Sequence, residues 1–234
     1  MDNKISIIIP VYDSEFLAIR SVKSVINQTY KNWEIILINV SSCNSINILR
    51  QIIKGDNRIK IHEEIGVELN VAINCAIEEA TGEYIAFLNY GDIFKLSKLE
   101  EELKYMQDKG YNFCHTAYER VDSRGSYIET IFLEELYEND GGGMIKQWTI
   151  ESSTIIIKKE IIEKYRFVKE NMVVYDTELW ITIAENESLG YLEKPLSQLM
   201  FDNEEKLDKD KNVNNSKEQV ANTLGEQGDN VYRG

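Results

Sequence analysis

Cysteine, histidine and positive charge are all scarce in this chain. Three cysteines stand among 234 residues, at Cys43, Cys75 and Cys114. They form no CxxC pair and no zinc spacing, and their odd number and wide separation fit thiols in a reducing compartment. Two histidines, His62 and His115, are too few and too far apart for a histidine-based metal site, so each is expected to be a strand-edge or core residue. The 26 basic residues are outnumbered by 40 acidic ones, for a net charge of −14. Such a surface repels phosphate backbones and excludes general nucleic-acid binding. It also gives no charge attraction to anionic lipid.

Long apolar runs are missing too. No segment approaches the roughly 20 residues of a membrane span. The run Ile5-Ser6-Ile7-Ile8-Ile9 near the start is too short for a signal-peptide core and reads as a strand. The chain is therefore expected in the cytoplasm, with membrane contact only peripheral, at the inner face. Neither GxGxxG after the first strand nor a Walker A motif occurs, which disfavours a dinucleotide fold and excludes a P-loop nucleotidase.

What is present is a hydrophobic content of 43%, enough for a core in one large domain. The first half alternates between two periods. Apolar runs of strand length at Ile5–Pro10, Trp33–Val40, Arg58–His62 and Tyr84–Leu88 are separated by helical stripes over Ser14–Asn27, Ile46–Lys54 and Val67–Ala80. A further helix opens at Ser97, with Glu100 at capping-box spacing, and stops at Gly110. This order predicts an α/β fold: a Rossmann-like, mostly parallel central sheet with helices on both faces. Ile7, Ile9, Ile36, Ile38, Ile85 and Phe87 are expected to be nearly buried in it.

The rhythm loosens after Phe113. Strands are expected over Phe113–Tyr118, Tyr127–Phe132 and Ser153–Ile157, and helices over Glu160–Tyr165 and Asp176–Glu185. Gly141-Gly142-Gly143 reads as a hinge or loop. The sequence divides into a domain over residues 1–201 and a polar appendage or tail over 202–234.

Ligands of an open parallel sheet sit beyond the carboxyl ends of its strands. The informative letters are therefore Pro10-Val11-Tyr12-Asp13-Ser14-Glu15, Asn39-Val40-Ser41-Ser42 and Asn89-Tyr90-Gly91-Asp92. The run from Ile5 to Tyr12, ISIIIPVY, with that from Ser24 to Leu37, SVINQTYKNWEIIL, and that from Ala80 to Leu88, ATGEYIAFL, resembles family 2 glycosyltransferases over roughly residues 4–200. The resemblance implies the GT-A fold. It also implies sugar transfer from a nucleotide-diphosphate sugar to a glycan or lipid-linked acceptor, usually with inversion, as in bacterial surface-glycan synthesis.

Residue roles follow from the resemblance. Pro10, Val11 and Tyr12 would form the shelf for the base, with Glu15 just beyond. Where the family writes D-D-G-S, this chain has Asn39-Val40-Ser41-Ser42. Asn39 still offers an amide oxygen, whereas the Val40 side chain offers no acceptor. Where the family writes D-x-D-D, for ribose and a divalent cation (Mn2+ or Mg2+), this chain has Asn89-Tyr90-Gly91-Asp92. Only Asp92 remains as a weak cation ligand, or else as a loop cap, and Gly91→Asp is the substitution expected to restore cation binding.

Tyr175-Asp176-Thr177-Glu178-Leu179-Trp180 resembles the family's E-D-x-E-L-W segment, in which the Asp is the general base. Asp176 matches it, and a helix N-cap role is compatible. Trp180 reads as core, and Trp148 as the better candidate for stacking on a sugar. The lost carboxylates leave a second reading open: a non-catalytic relative that binds a sugar, a nucleotide or a partner protein.

Overall fold

The computed structural model describes residues 3–11, 14–40, 45–132, 150–167 and 175–201. Its elements grow from the two periods of the sequence. The first three strands are β1 (Ile5–Val11), β2 (Trp33–Asn39) and β3 (Ile59–Glu63), linked by α1 (Glu15–Ile26) and α2 (Ser45–Ile52). Then come α3 (Leu69–Glu79), β4 (Tyr84–Phe87), the short β5 (Ile93–Phe94) and α4 (Lys98–Lys109). The second half holds β6 (Phe113–Val121), β7 (Tyr127–Ile131), a 3-10 turn at Ser152–Thr154, β8 (Ile155–Lys158), α5 (Lys159–Tyr165), α6 (Tyr175–Asn186) and β9 (Leu189–Met200).

The strands form one sheet in the order β3-β2-β1-β4-β8-β6-β9-β5, with β7 paired to β6 outside that path. From β3 to β4 the pairing is parallel. Beyond β4 the sheet becomes mixed: β8 is antiparallel to β4 and β6, whereas β9 runs parallel to β6. Every residue of β1 and β2 is buried, because helices cover both faces. Ile7, Ile9, Ile35 and Leu37 pack with α1, α2 and α4 on one face. Ile8, Ile36, Ile38, Ile85 and Phe87 pack with α3, α5 and α6 on the other.

Three local expectations are corrected. The Ser97 hydroxyl caps no main-chain N–H and instead meets the Glu101 carboxylate at 2.6 Å, so no capping box with Glu100 forms. Ser152–Thr154 is a turn rather than the start of a strand. Strands β5 and β9 have no counterpart in the sequence reading. The expected hinge at Gly141–Gly143 and the appendage over 202–234 lie outside the described residues.

A buried carboxylate fastens the amino edge of the sheet. Glu34 Oε1 accepts from the Ser6 hydroxyl at 2.7 Å, the Thr81 N–H at 2.7 Å and the Thr81 hydroxyl at 2.8 Å. Its Oε2 lies 3.0 Å from Lys4 Nζ and 3.1 Å from Lys60 Nζ. Burial opposes its ionisation, but the hydrogen bonds from Ser6, Thr81 and Lys4 together outweigh burial and bring its pKa down to about 2. Opposite this lock lies the carboxyl edge.

Candidate active site

The parallel register brings the first two loops together. Val11 pairs with Asn39, and Pro10 with Ile38, so the ends of β1 and β2 stand side by side. The N–H of Leu88 donates to Ile8 O at 3.0 Å, which sets Asn89 beside them. Pro10 and Val11 are both buried, so what they offer a ligand at this edge is main chain rather than side chain. Asn39 is 2% exposed, and its Oδ1 has no hydrogen-bond partner. A buried acceptor left unpaired costs about 1–3 kcal/mol, so a donor brought by a ligand would recover free energy there. Val40 packs against the core beneath α3. Tyr12 lies outside the described residues, as do Ser41, Ser42 and the Glu15 side chain.

The loop Asn89–Asp92 is held by the protein's own hydrogen bonds. The Asn89 N–H donates to Ser153 Oγ at 2.9 Å, and Ser153 Oγ donates to Asp92 Oδ2 at 2.6 Å. The Met200 N–H donates to Asp92 Oδ1 at 2.8 Å. Ser21 on α1 accepts from the Gly91 N–H at 3.0 Å and donates to Asp92 O at 2.9 Å. The Tyr90 hydroxyl donates to Ser14 O at 2.5 Å and also accepts from the Ser14 N–H, tying the loop to the start of α1.

This geometry bears on the cation. Asp92 is 5% exposed, and both its oxygens already accept bonds from within the protein. Gly91 has φ +86°, and a Cβ there would stand 3.0 Å from Met200 Cε. An aspartate at that position meets both backbone strain and a close contact, so Gly91→Asp does not simply restore a cation ligand. Among the described residues no group of three His, Cys, Asp or Glu side chains could hold a metal ion. The donor set of Asn89, Gly91 and an internally committed Asp92 does not fit a divalent cation.

The helix of Asp176 descends to the amino edge. Helix α6 ends at Asn186, and Leu189 then pairs with Phe113 at the start of β6. Trp180 is fully buried in α6, 5.4 Å from Phe87 and 5.9 Å from Phe113 between ring centroids, and its indole N–H donates to Ser152 Oγ at 3.2 Å. Asp176 sits one turn earlier, so its backbone lies at the carboxyl edge with the other loops. Its side chain and Trp148 lie outside the described residues.

Ser21, Tyr90, Ser152, Ser153 and Ser197 were not singled out from the sequence. A faint signal existed in Glu151-Ser152-Ser153-Thr154, a polar run directly before Ile155-Ile156-Ile157. His115 is a core residue whose two ring nitrogens have no partner. Burial, helped by the Lys98 charge, lowers its pKa to about 3 and keeps it neutral. His62 pairs with Glu79 at 2.9 Å. A cavity of about 350 Å3 lined by Gly82, Tyr84, Lys158 and Lys159 opens at the opposite, amino edge, away from these loops.

The fold is that of GT-A enzymes. Staphylococcus aureus TarS (residues 1–349, in complex with UDP-GlcNAc) superposes with a TM-score of 0.71 at 17% identity, over 85% of this chain and 59% of that one. The model for glycosyl transferase family 2 matches residues 6–166, and the chain belongs to that family. An uncharacterized glycosyltransferase of Rickettsia conorii is 36% identical over 198 residues, 85% of this chain and 33% of the relative. The chain thus spans about a third of the length of the Rickettsia relatives it matches. Escherichia coli WfgD, a UDP-Glc:alpha-D-GlcNAc-diphosphoundecaprenol beta-1,3-glucosyltransferase, is 27% identical over 191 residues, 81% of this chain and 73% of WfgD. No helix among the described residues is long and apolar enough to cross a membrane.

Proposed function

We propose that this chain transfers a sugar, with inversion, from a nucleotide-diphosphate sugar to a hydroxyl of a glycan or lipid-linked acceptor in bacterial glycan synthesis. The acceptor oxygen attacks the anomeric carbon while Asp176 takes its proton. The bond from that carbon to the diphosphate breaks, and the nucleoside diphosphate leaves with the electron pair. Pro10, Val11, Tyr12, Glu15, Asn39 and Val40 would serve the base side, and Asn89 and Gly91 the ribose and diphosphate side. The observation that carries the reading is the buried, unpartnered Oδ1 of Asn39 at the carboxyl edge, an acceptor suited to a base N–H. The names of TarS in its donor complex and of WfgD support a nucleotide-sugar donor and a lipid-linked acceptor. Such an acceptor would bring the protein to the inner face of the membrane without a span of its own.

GT-A enzymes commonly use a divalent cation, but Asn89, Gly91 and the internally bonded Asp92 do not fit one. Asp92 acts instead as the clamp of its loop.

Replacement of Asp176 by Asn keeps size and capping oxygen while removing the proton acceptor. Turnover is expected to fall roughly 10²-fold or more with donor affinity nearly unchanged. Transfer rate, donor affinity and melting temperature measured on the same pair of proteins check this. Full activity in the variant would remove Asp176 from the mechanism. The loss of carboxylates at Asn89 and Gly91 favours one other reading, a family member that binds without turnover. Donor binding with no transfer to any acceptor hydroxyl would select it.

A further inference from the structure

The turn Ser152–Thr154 is buried along its whole length, and its hydroxyls reach two different parts of the carboxyl edge. Ser152 Oγ accepts the indole N–H of Trp180, one turn below Asp176 on α6, at 3.2 Å. The next residue, Ser153, accepts the Asn89 N–H at 2.9 Å and donates to Asp92 at 2.6 Å. One hydroxyl thus grips the helix of the general base and its neighbour grips the donor loop.

The turn itself is anchored from elsewhere. The Ser197 hydroxyl on β9 donates to Ser153 O at 2.7 Å. Lys98 Nζ on α4 donates to Thr154 O at 3.1 Å, and Glu102 Oε1 accepts the Ile156 N–H at 3.1 Å just beyond. Lys98 and Glu102 form an ion pair with both side chains fully buried. Breaking such a pair is costly, so it resists displacement.

We propose that Ser152 and Ser153 are positioning residues that fix the separation between the helix of Asp176 and the Asn89–Asp92 loop. In this chain they supply the alignment that a loop carrying two more carboxylates would take from its cation. The proposal rests on the transfer reading above. In-line attack needs the reacting atoms about 3–3.5 Å apart, and a 1 Å misplacement costs on the order of 10²-fold in rate. A two-residue link between base and donor loop is a direct means of holding that distance.

Ser152→Ala tests the link without touching the donor loop itself. Its kcat is expected to fall roughly 10-fold or more with donor KM nearly unchanged, a loss larger than the modest drop in melting temperature that an unpaired, buried Trp180 N–H brings. Ser152→Thr keeps the hydroxyl and is expected to recover most of the rate. Amide hydrogen exchange over residues 88–92, measured without substrate, reads the link independently of activity. Both Ser152→Ala and Trp180→Phe are expected to speed exchange at Asn89, although neither removes a bond that Asn89 makes. Unchanged exchange at Asn89 overturns the proposal, as does a rate loss that only follows melting temperature. A wild type that transfers no sugar contradicts the transfer reading instead, and the exchange measurement still decides whether the link exists.

Discussion

Gly91 shows how a single residue separates this chain from its family's usual pattern. Its positive φ lets the loop turn so that its N–H reaches Ser21, and a Cβ there would stand 3.0 Å from Met200 Cε. A side chain there must adopt the left-handed region and displace the end of a methionine. The backbone strain is of order 1–3 kcal/mol, and Met200 is flexible enough to give part of the space. Gly91→Asp is therefore expected to lower stability by about 1–3 kcal/mol in denaturant titration, and to leave nucleotide affinity unresponsive to Mn2+. A stable variant with new Mn2+-dependent binding would contradict this. Asn39 is the complementary case. Its amide keeps an acceptor where the family has a carboxylate, and that oxygen is buried and unpaired. Both substitutions were legible as letters. Their consequences were not, because the commitment of both Asp92 oxygens depends on Met200 and Ser153, 108 and 61 residues away from it.

At the scale of elements, the lock around Glu34 binds β1, β2 and β3 to the turn before β4. Gly82 completes it: a Cβ there would stand 2.7 Å from Lys4 O, Ser6 N and Ser6 Oγ. The folded pKa of Glu34, about 2, lies below the ordinary value of 4.5. The lock's stabilisation is thus fully present above about pH 4.5 and is lost as pH falls toward 2. The effect is on the order of 3 kcal/mol. Urea titrations between pH 6 and 3 are expected to show wild type losing stability more steeply than Glu34→Gln. Parallel pH profiles would remove the lock from the account. Elements with one clear period, such as β1, β2, α3 and β4, were legible from the sequence to within one or two residues. Strand β9 was not: Glu193-Lys194-Pro195 interrupts its pattern, and its pairing with β6 shifts register between Thr116 and Tyr118. Nor was β5, whose two residues gain strand geometry only through β9.

For the whole molecule, the sheet sets the functional layout. The parallel strands place the ends of β1, β2 and β4 on one edge, and the antiparallel β8 begins at that same edge with the Ser152–Thr154 turn. Helix α6 then returns along the face, so that Asp176, 87 residues beyond Asn89 in sequence, begins its descent from there. The shared edge of β1, β2 and β4 followed from alternating periods, whereas the antiparallel direction of β8 did not. Nor did the hydrogen-bonded support of the Asn89–Asp92 loop, since isolated serines carry no periodic signal.

This edge is proposed to bind a nucleotide-diphosphate sugar through a loop fixed by protein hydrogen bonds rather than by a cation. Calorimetric titration of the protein with UDP, GDP and TDP, each in excess EDTA and again with Mn2+, tests it most directly. The expected result is saturable binding of one of the three, with affinity changed less than about 3-fold by Mn2+, since roughly 1.4 kcal/mol corresponds to 10-fold and a bound cation would contribute several. Binding that appears only with Mn2+, or no binding of any of the three, would contradict it.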